Sequence, residues 1–385
     1  MPRWFYFLLV LAVIAPILAF LGNHQQETAI FVFSGISLIP LAVLIGRATE
    51  DLEYHVGPIA GGLLNATFGN APEIIIGIFA LQHGLISVVK ASITGSIISN
   101  SLLVLGGSIA IGGWRWGRQY FNNRDAGQYS AMMVLAVAGL LIPYTASLAI
   151  TDHARLQSIS IGIAIILLVV YVMYLALHVF HVRAFRRNPK ARGQPITHPP
   201  VHEEEQESAE ERDEARAITG GLSAQEVSRR PPPKLWLAVL MLFLATIGTA
   251  INSELLVSTI EPVARQIGWS TIFIGLVIIP IVGNAAEHSS AIFVAYRDRI
   301  DLSMAIAAGS SIQVATLVAP VLVLASLFYA TPLDLIFQPL ELVLLVLATL
   351  LFTFVSLDGE TSWLAGIQLI SVYLMACLVF FLLPG

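Results

Sequence analysis

The sequence predicts an all-α integral membrane protein of about 11 transmembrane helices, two inverted five-helix repeats preceded by one extra N-terminal helix. Three observations carry that expectation. The composition is too apolar for water, eleven apolar stretches have spanning length, and one stretch around a buried glutamate occurs twice.

Hydrophobic residues make up 56% of the chain and charged residues 12%, with a mean hydropathy of +0.80. A soluble domain is about 25% charged, so this chain has too little polar surface to coat a globule in water. Lipid is its main solvent. The net charge of −5, without a basic stripe, argues against nucleic acid as a partner. The single cysteine, Cys377, excludes an intrachain disulfide and reads as a packing or lipid-facing residue. Self-association into a homo-oligomer is left open.

About 20 mostly apolar residues cross a hydrocarbon core of roughly 30 Å. That window places spans at 5–21, 29–47, 58–82, 88–112, 130–149 and 157–180, then at 235–256, 270–295, 303–328, 335–356 and 363–383. Arg3 and the first apolar run also fit a signal peptide. No small-x-small cleavage site follows it, which favours a first span. With the N-terminus inside, 17 of the 20 Lys and Arg residues fall on the cytoplasmic side, and only Lys90, Arg155 and Arg265 do not. Basic residues mark cytoplasmic loops, so the C-terminus is expected outside and the cell membrane is the expected location.

The domain boundaries follow from one interruption. Residues 1–28 form the extra helix, 29–183 the first repeat, 184–234 a linker and 235–385 the second repeat. The linker begins basic, turns acidic across 203–214 and closes on Pro231-Pro232-Pro233. It reads as a cytoplasmic tether, with a regulatory or cation-attracting arm as the alternative.

The duplication is ungapped. Residues 69–103 begin GNAPE and 283–317 begin GNAAE, and Gly95-Ser96 aligns with Gly309-Ser310 in the same register. Five spans separate the copies, an odd number, so the second copy is upside down relative to the first. Inverted repeats meeting near the midplane form a site that can open to either side.

Glu73 and Glu287 sit deep in these copies. A charge at the bilayer centre costs at least about 2.5–3.5 kcal/mol even on lenient scales, so two at equivalent points call for partners, and cations are the natural ones. Asn70 and Asn284 stand three residues before them, the spacing of a capping box. Pro72 suits a helix start, and Gly69, Gly283 and Pro280 loosen the backbone before it. Both spans are therefore expected to break, with half-helices starting inside the membrane. A capping glutamate can also serve only its own helix, a reading that two symmetric copies disfavour.

Ser96, Ser310, Asn100 and Gln313 add neutral oxygen ligands beside the glutamates, while Gly95, Gly309 and Ser311 suit close helix packing. Calcium takes six to eight oxygens, and the absence of a Cys/His cluster argues against a soft metal. Two carboxylates ~4 Å apart repel by about 4 kcal/mol at an effective dielectric near 20. One divalent cation discharges the pair, and so do two protons. Exchange of one for the other follows if the empty, doubly charged site cannot rearrange.

Three further residues are weaker candidates for a gate. Glu50 and Glu254 each end an apolar run before a repeat copy, and solvated helix ends are the competing reading. His288 follows Glu287 and points about 100° away from it on a helix, so packing or hydrogen bonding competes with proton transfer. His83, His153, His178 and His181 read as interfacial, His198 and His202 as linker residues.

The stretches GNAPE at 69–73, KASITGSIISNSLLVLG at 90–106, GNAAEH at 283–288 and GSSIQVATLVAP at 309–320 resemble the cation/proton exchanger family. This is the calcium/proton branch of the cation/calcium antiporters, and the resemblance covers nearly the whole chain. It implies Glu73 and Glu287 as essential cation-binding residues, with Asn70, Asn284, Ser96, Ser310, Asn100 and Gln313 around them. It also implies Glu50 as a gating glutamate, and calcium leaving the cytosol as protons enter. Ser99 and Ser101 depart from the commoner family pattern at those positions, so ion selectivity stays open. Sodium-coupled exchange and a passive cation channel are the alternatives in transport. Neither HExxH nor paired Asp-rich segments occur, so no enzyme is expected, and no cofactor beyond the transported Ca2+ and protons.

Overall fold

A computed structural model describes residues 3–22, 26–179 and 234–383, and the protein is mostly helical (86%). Apart from Lys234, the expected acidic linker lies outside the described residues. Thirteen helical rods occur among the described residues. The first half holds α1 (Arg3–Phe20), α2 (Glu27–Gly69), α3 (Ala71–Gln82), α4 (Ile86–Trp116), α5 (Asn123–Ser147) and α6 (His153–Val179). The second holds α7 (Leu235–Ser258), α8 (Ile260–Ile267), α9 (Thr271–Gly283), α10 (Ala285–Tyr296), α11 (Ile300–Ser326), α12 (Pro339–Leu357) and α13 (Trp363–Leu382). Eight of the described helices are long and apolar enough to cross a membrane.

The chain reverses inside α2. Thr49 Oγ1 donates to Asn65 Oδ1 at 3.0 Å, and both side chains are buried. Sixteen residues of straight helix would separate them by about 24 Å at 1.5 Å per residue. Helical backbone therefore runs out past Thr49 and returns before Asn65. Gly57-Pro58 and Gly61-Gly62 lie in the interval, the residue types at which helices kink. The expected span 29–47 lies in the outgoing leg, and the expected span 58–82 covers the returning leg and α3 beyond it. In the second half α8 and α9 meet at a bend of 119°.

Two rods form the centre. The spanning windows of α4 and α11 are 83% and 89% buried within the protein, against 22–39% for α5, α6, α7, α12 and α13. Their side chains explain it: KASITGSIISNS and SMAIAAGSS are rich in small residues, which lets neighbouring backbones approach. Gly95 of α4 lies against the backbone of Leu276 in α9, where any Cβ would collide with the carbonyl oxygen. Each central rod also carries a π-helical stretch, Ser99–Val104 in α4 and Val314–Val318 in α11, and α9 holds a third at Ile274–Ile278. Nothing in the sequence analysis anticipates these wide turns, which often mark functional positions.

Contacts between helix ends sort into two sets. At one end of the bundle Lys90 Nζ pairs with Asp334 at 2.6 Å, Thr28 with Gln266 at 2.7 Å and Gln157 with the Leu333 carbonyl at 3.1 Å. At the other, Arg118 pairs with Glu360 at 2.8 Å, Trp116 donates to the Tyr296 carbonyl and the Asn122 amide donates to Asp301. A two-residue antiparallel ladder, β1 (Gln119–Tyr120) with β2 (Glu360–Thr361), joins the α4–α5 and α12–α13 loops at that same end. Several helix starts differ from the expected span bounds: α5 begins at Asn123 instead of 130, α6 at His153 instead of 157 and α12 at Pro339 instead of 335. Residues 335–338 precede α12 instead of opening it, because the capping box closed by Gln338 and Glu341 sets the start at Pro339.

Candidate functional site

The site is built from two matched helix breaks. Asn70 (φ −95°, ψ 12°) separates α2 from α3, and Asn284 (φ −95°, ψ 17°) separates α9 from α10. Near-identical backbone at the two equivalent positions gives each following helix the same start. Pro72 occupies the first turn of α3, where its missing N–H costs nothing. Glu73 and Glu287 therefore both stand in the first turn of a short helix beginning inside the apolar bundle.

The asparagines do not cap their own helices as the capping-box spacing implies: neither makes a side-chain cap bond. Their amides reach across the molecule instead. Asn70 Nδ2 donates to Gln313 Oε1 on α11. Asn284 Nδ2 donates to Ser96 Oγ on α4 at 3.0 Å, and to the Pro280 carbonyl one turn back at 3.2 Å. The local spacing is right and the partner is wrong, because a residue more than 180 positions away offers a better-placed acceptor. Each break is thus tied to the central rod of the opposite half.

A second string crosses between the central rods. Asn100 Nδ2 donates to Ser310 Oγ at 2.8 Å, and Asn100 Oδ1 faces His288 Nε2 at 3.2 Å. Since the amide nitrogen already donates to Ser310, the oxygen is the acceptor and the Nε2–H of His288 the donor. Beside it, the hydroxyls of Ser101 and Ser311 meet at 3.3 Å. By sequence, Ser311 is a packing residue and Ser101 a departure from a family pattern. Their contact is visible only once the central rods are placed side by side.

The glutamates differ from these amides. Each side chain is half-buried, and in each the Oε2 atom is sealed from solvent without a hydrogen-bond partner. Glu73 Oε1 lies against Gly283, four residues before Glu287 on the approach to the helix that carries it. Among the described residues no group of three or more His, Cys, Asp or Glu side chains is placed to hold a metal. A cation here would meet two carboxylates and a surround of neutral amide and hydroxyl oxygens. Oxygen-only donors suit a hard cation, and buried oxygens without partners are the groups such an ion or a proton would satisfy.

The weaker candidates separate. Glu50 lies near the reversal of α2, half-buried, one residue after Thr49. Glu254 is exposed near the C-terminal end of α7. His288 belongs to the central string through Asn100. His83 and His153 are exposed at helix ends, while His181, His198 and His202 lie outside the described residues.

Known proteins resemble the whole chain. The model of the sodium/calcium exchanger protein family matches residues 26–180 and 237–382. The Ca(2+)/H(+) antiporter ChaA of Bacillus subtilis is 39% identical over 381 residues, covering 98% of this chain and 99% of its own. The Ca(2+)/H(+) antiporter of a Synechocystis strain is 38% identical over 368 residues, covering 93% of this chain and 92% of its own. The solved structure of native YfkE superposes with a TM-score of 0.78 at 37% identity, covering 99% of this chain and all of that one. With a family model over most of its length and full-length relatives well above 30% identity, this chain belongs to the sodium/calcium exchanger protein family.

Proposed function

We propose that this chain is a secondary active antiporter that exports Ca2+ from the cytosol in exchange for protons. The observation that carries the proposal is the pair of half-buried glutamates at matched helix breaks, each with an oxygen that no group among the described residues satisfies. The relatives named Ca(2+)/H(+) antiporter support the same cargo.

In this reading Glu73 and Glu287 hold the calcium ion, and the Asn70–Gln313, Asn284–Ser96 and Asn100–Ser310 pairs shape the surround and keep the two half-helix starts in register. Calcium leaves when protons take both carboxyls, and enters when they depart. With neither bound, two negative charges face each other in a medium that screens them poorly, so the empty site does not rearrange and leak is suppressed. Glu50, beside the turn of α2, acts as the gate on one side. Glu254 has no part in the pathway.

The architecture proposed for this cycle is eleven spans: α1, then two inverted sets of five over 29–183 and 235–385, joined by the 184–234 linker in the cytosol. The end contacts support it, because each joins loops that this layout assigns to one side. The α4–α5, α10–α11 and α12–α13 loops share the cytosolic side, and Lys90 and Asp334 share the other. The N-terminus then lies in the cytosol, the C-terminus outside, and the membrane is the cell membrane.

Calcium uptake into everted membrane vesicles with an imposed pH gradient tests the proposal. Uptake should follow the proton gradient, reverse sign with it and ignore sodium. Glu73→Gln and Glu287→Gln should each abolish it, by at least about 100-fold, while the protein is still inserted and extracted intact. Sodium-driven uptake, flux without a counter-gradient, or full activity in either variant would overturn it.

A further inference from the structure

A cavity of about 610 Å³ opens between α12 and α13 at the end that carries the β1–β2 ladder, well away from the glutamate pair. Its walls change character with depth. Leu351, Phe354, Val355, Leu369 and Val372 line the deeper part, between the last turns of α12 and the first turns of α13. The mouth is polar, with Arg118, Asp358, Glu360, Thr361 and Ser362, and Gln368 stands at the depth of Leu369. In a bilayer the apolar wall of this slot has room for hydrocarbon, while its polar rim can meet a head group.

The mouth has its own demands. Thr361 is 6% exposed, lines the cavity, and its hydroxyl has no hydrogen-bond partner. Buried hydroxyls are normally satisfied. Glu360 pairs with Arg118 at 2.8 Å, which leaves the exposed carboxylate of Asp358 as the one excess charge on the rim. Two carboxylates against one guanidinium repel a purely anionic head group and attract one that also carries a cation with N–H donors.

We propose that this cavity is a binding site for a zwitterionic phospholipid with a primary ammonium, of the phosphatidylethanolamine type. One acyl chain fills the slot between α12 and α13. The ammonium donates to Asp358, and the phosphate accepts from Arg118 and from the Thr361 hydroxyl. The lipid rests against the loop that pairs with β1, and so fastens the α12–α13 corner to the α4–α5 loop.

Native mass spectrometry of the full chain released from nanodiscs tests this, using phosphatidylethanolamine, phosphatidylcholine and phosphatidylglycerol as competing probes. Phosphatidylethanolamine should be retained over both others. Asp358→Asn should weaken its retention about two- to fivefold, the worth of one exposed ion pair, without raising that of phosphatidylcholine. Ala365→Phe, which fills the slot, should release all three lipids, and an unchanged thermal midpoint would exclude misfolding as the reason. Equal retention of the three lipids, preference for phosphatidylglycerol, no effect of Asp358→Asn, or a second copy of the chain cross-linked through Gln368→Cys would each overturn the proposal. The readout is lipid retention, so its failure is distinct from a failure of the transport assay.

Discussion

Glu73 Oε1 lies against the bare α-carbon of Gly283, and a methyl group built there would stand 3.3 Å from it. That carboxylate therefore borrows its room from the opposite helix break, one turn ahead of Glu287. Gly283→Ala should press on Glu73, whose side chain supplies the nearest atoms to the added methyl group. Calcium uptake should fall several-fold with little change in thermal midpoint. Wild-type uptake in that variant would show that Glu73 does not depend on this approach.

Gly95 makes the stricter demand, since its neighbour is the Leu276 backbone and cannot swing aside. Overpacking typically costs about 1–3 kcal/mol, and contact with main chain falls at the upper end. Gly95→Ala is expected to lower the thermal midpoint clearly and to abolish uptake, whereas Gly127→Ala, with nothing near its Cβ, should do neither. Fluorescence-detected size exclusion after heating separates them.

Asn100 holds Ser310 with its nitrogen and His288 with its oxygen. Asn100→Ala strands the buried Ser310 and the half-buried His288, a loss of about 1–3 kcal/mol. His288→Ala removes only one contact and should cost less stability. A thermal midpoint unaltered in Asn100→Ala would remove the central string from the account.

Reversal of α2 can be tested by chemistry alone. In a Cys377→Ser background, a Thr49→Cys/Asn65→Cys pair should be bridged within one chain by a short bis-thiol reagent, because the native side chains touch. A straight helix would hold the two thiols about 24 Å apart and give no bridge.

Lys90 donates to Asp334 and to the Ile336 carbonyl, and also faces the buried Glu341. Its loss leaves two carboxylates on the α4–α12 contact without their cation. Lys90→Ala should cost about 2–3 kcal/mol, less than the 3–5 of a fully buried pair, since Lys90 and Asp334 keep some exposure. Chemical denaturation in detergent reads it.

The glutamate pair and its breaks are legible in the sequence because duplication writes the same signal twice: GNAPE and GNAAE mark both helix starts, and Pro72 marks the first turn. Gly95-Ser96 and Gly309-Ser310 point to the two central rods for the same reason. What the sequence hides is any partner chosen across the bundle. Asn70 and Asn284 carry the local signature of caps, yet their acceptors are Gln313 and Ser96, fixed by packing and not by spacing. The π-helical stretches leave no mark either, since one extra residue per turn changes neither hydrophobicity nor length. Glu254, exposed near the C-terminal end of α7, fits the solvated helix end that the sequence also offered.

Because Asn70 and Asn284 bond across to the other half, neither half carries a complete set of fastenings. A gene split at the linker would have to supply both fragments together, and each would be an obligate companion of the other. Drift at Ser96 would be felt at Asn284, and drift at Gln313 at Asn70, so the duplicated copies are free to diverge in company but not apart.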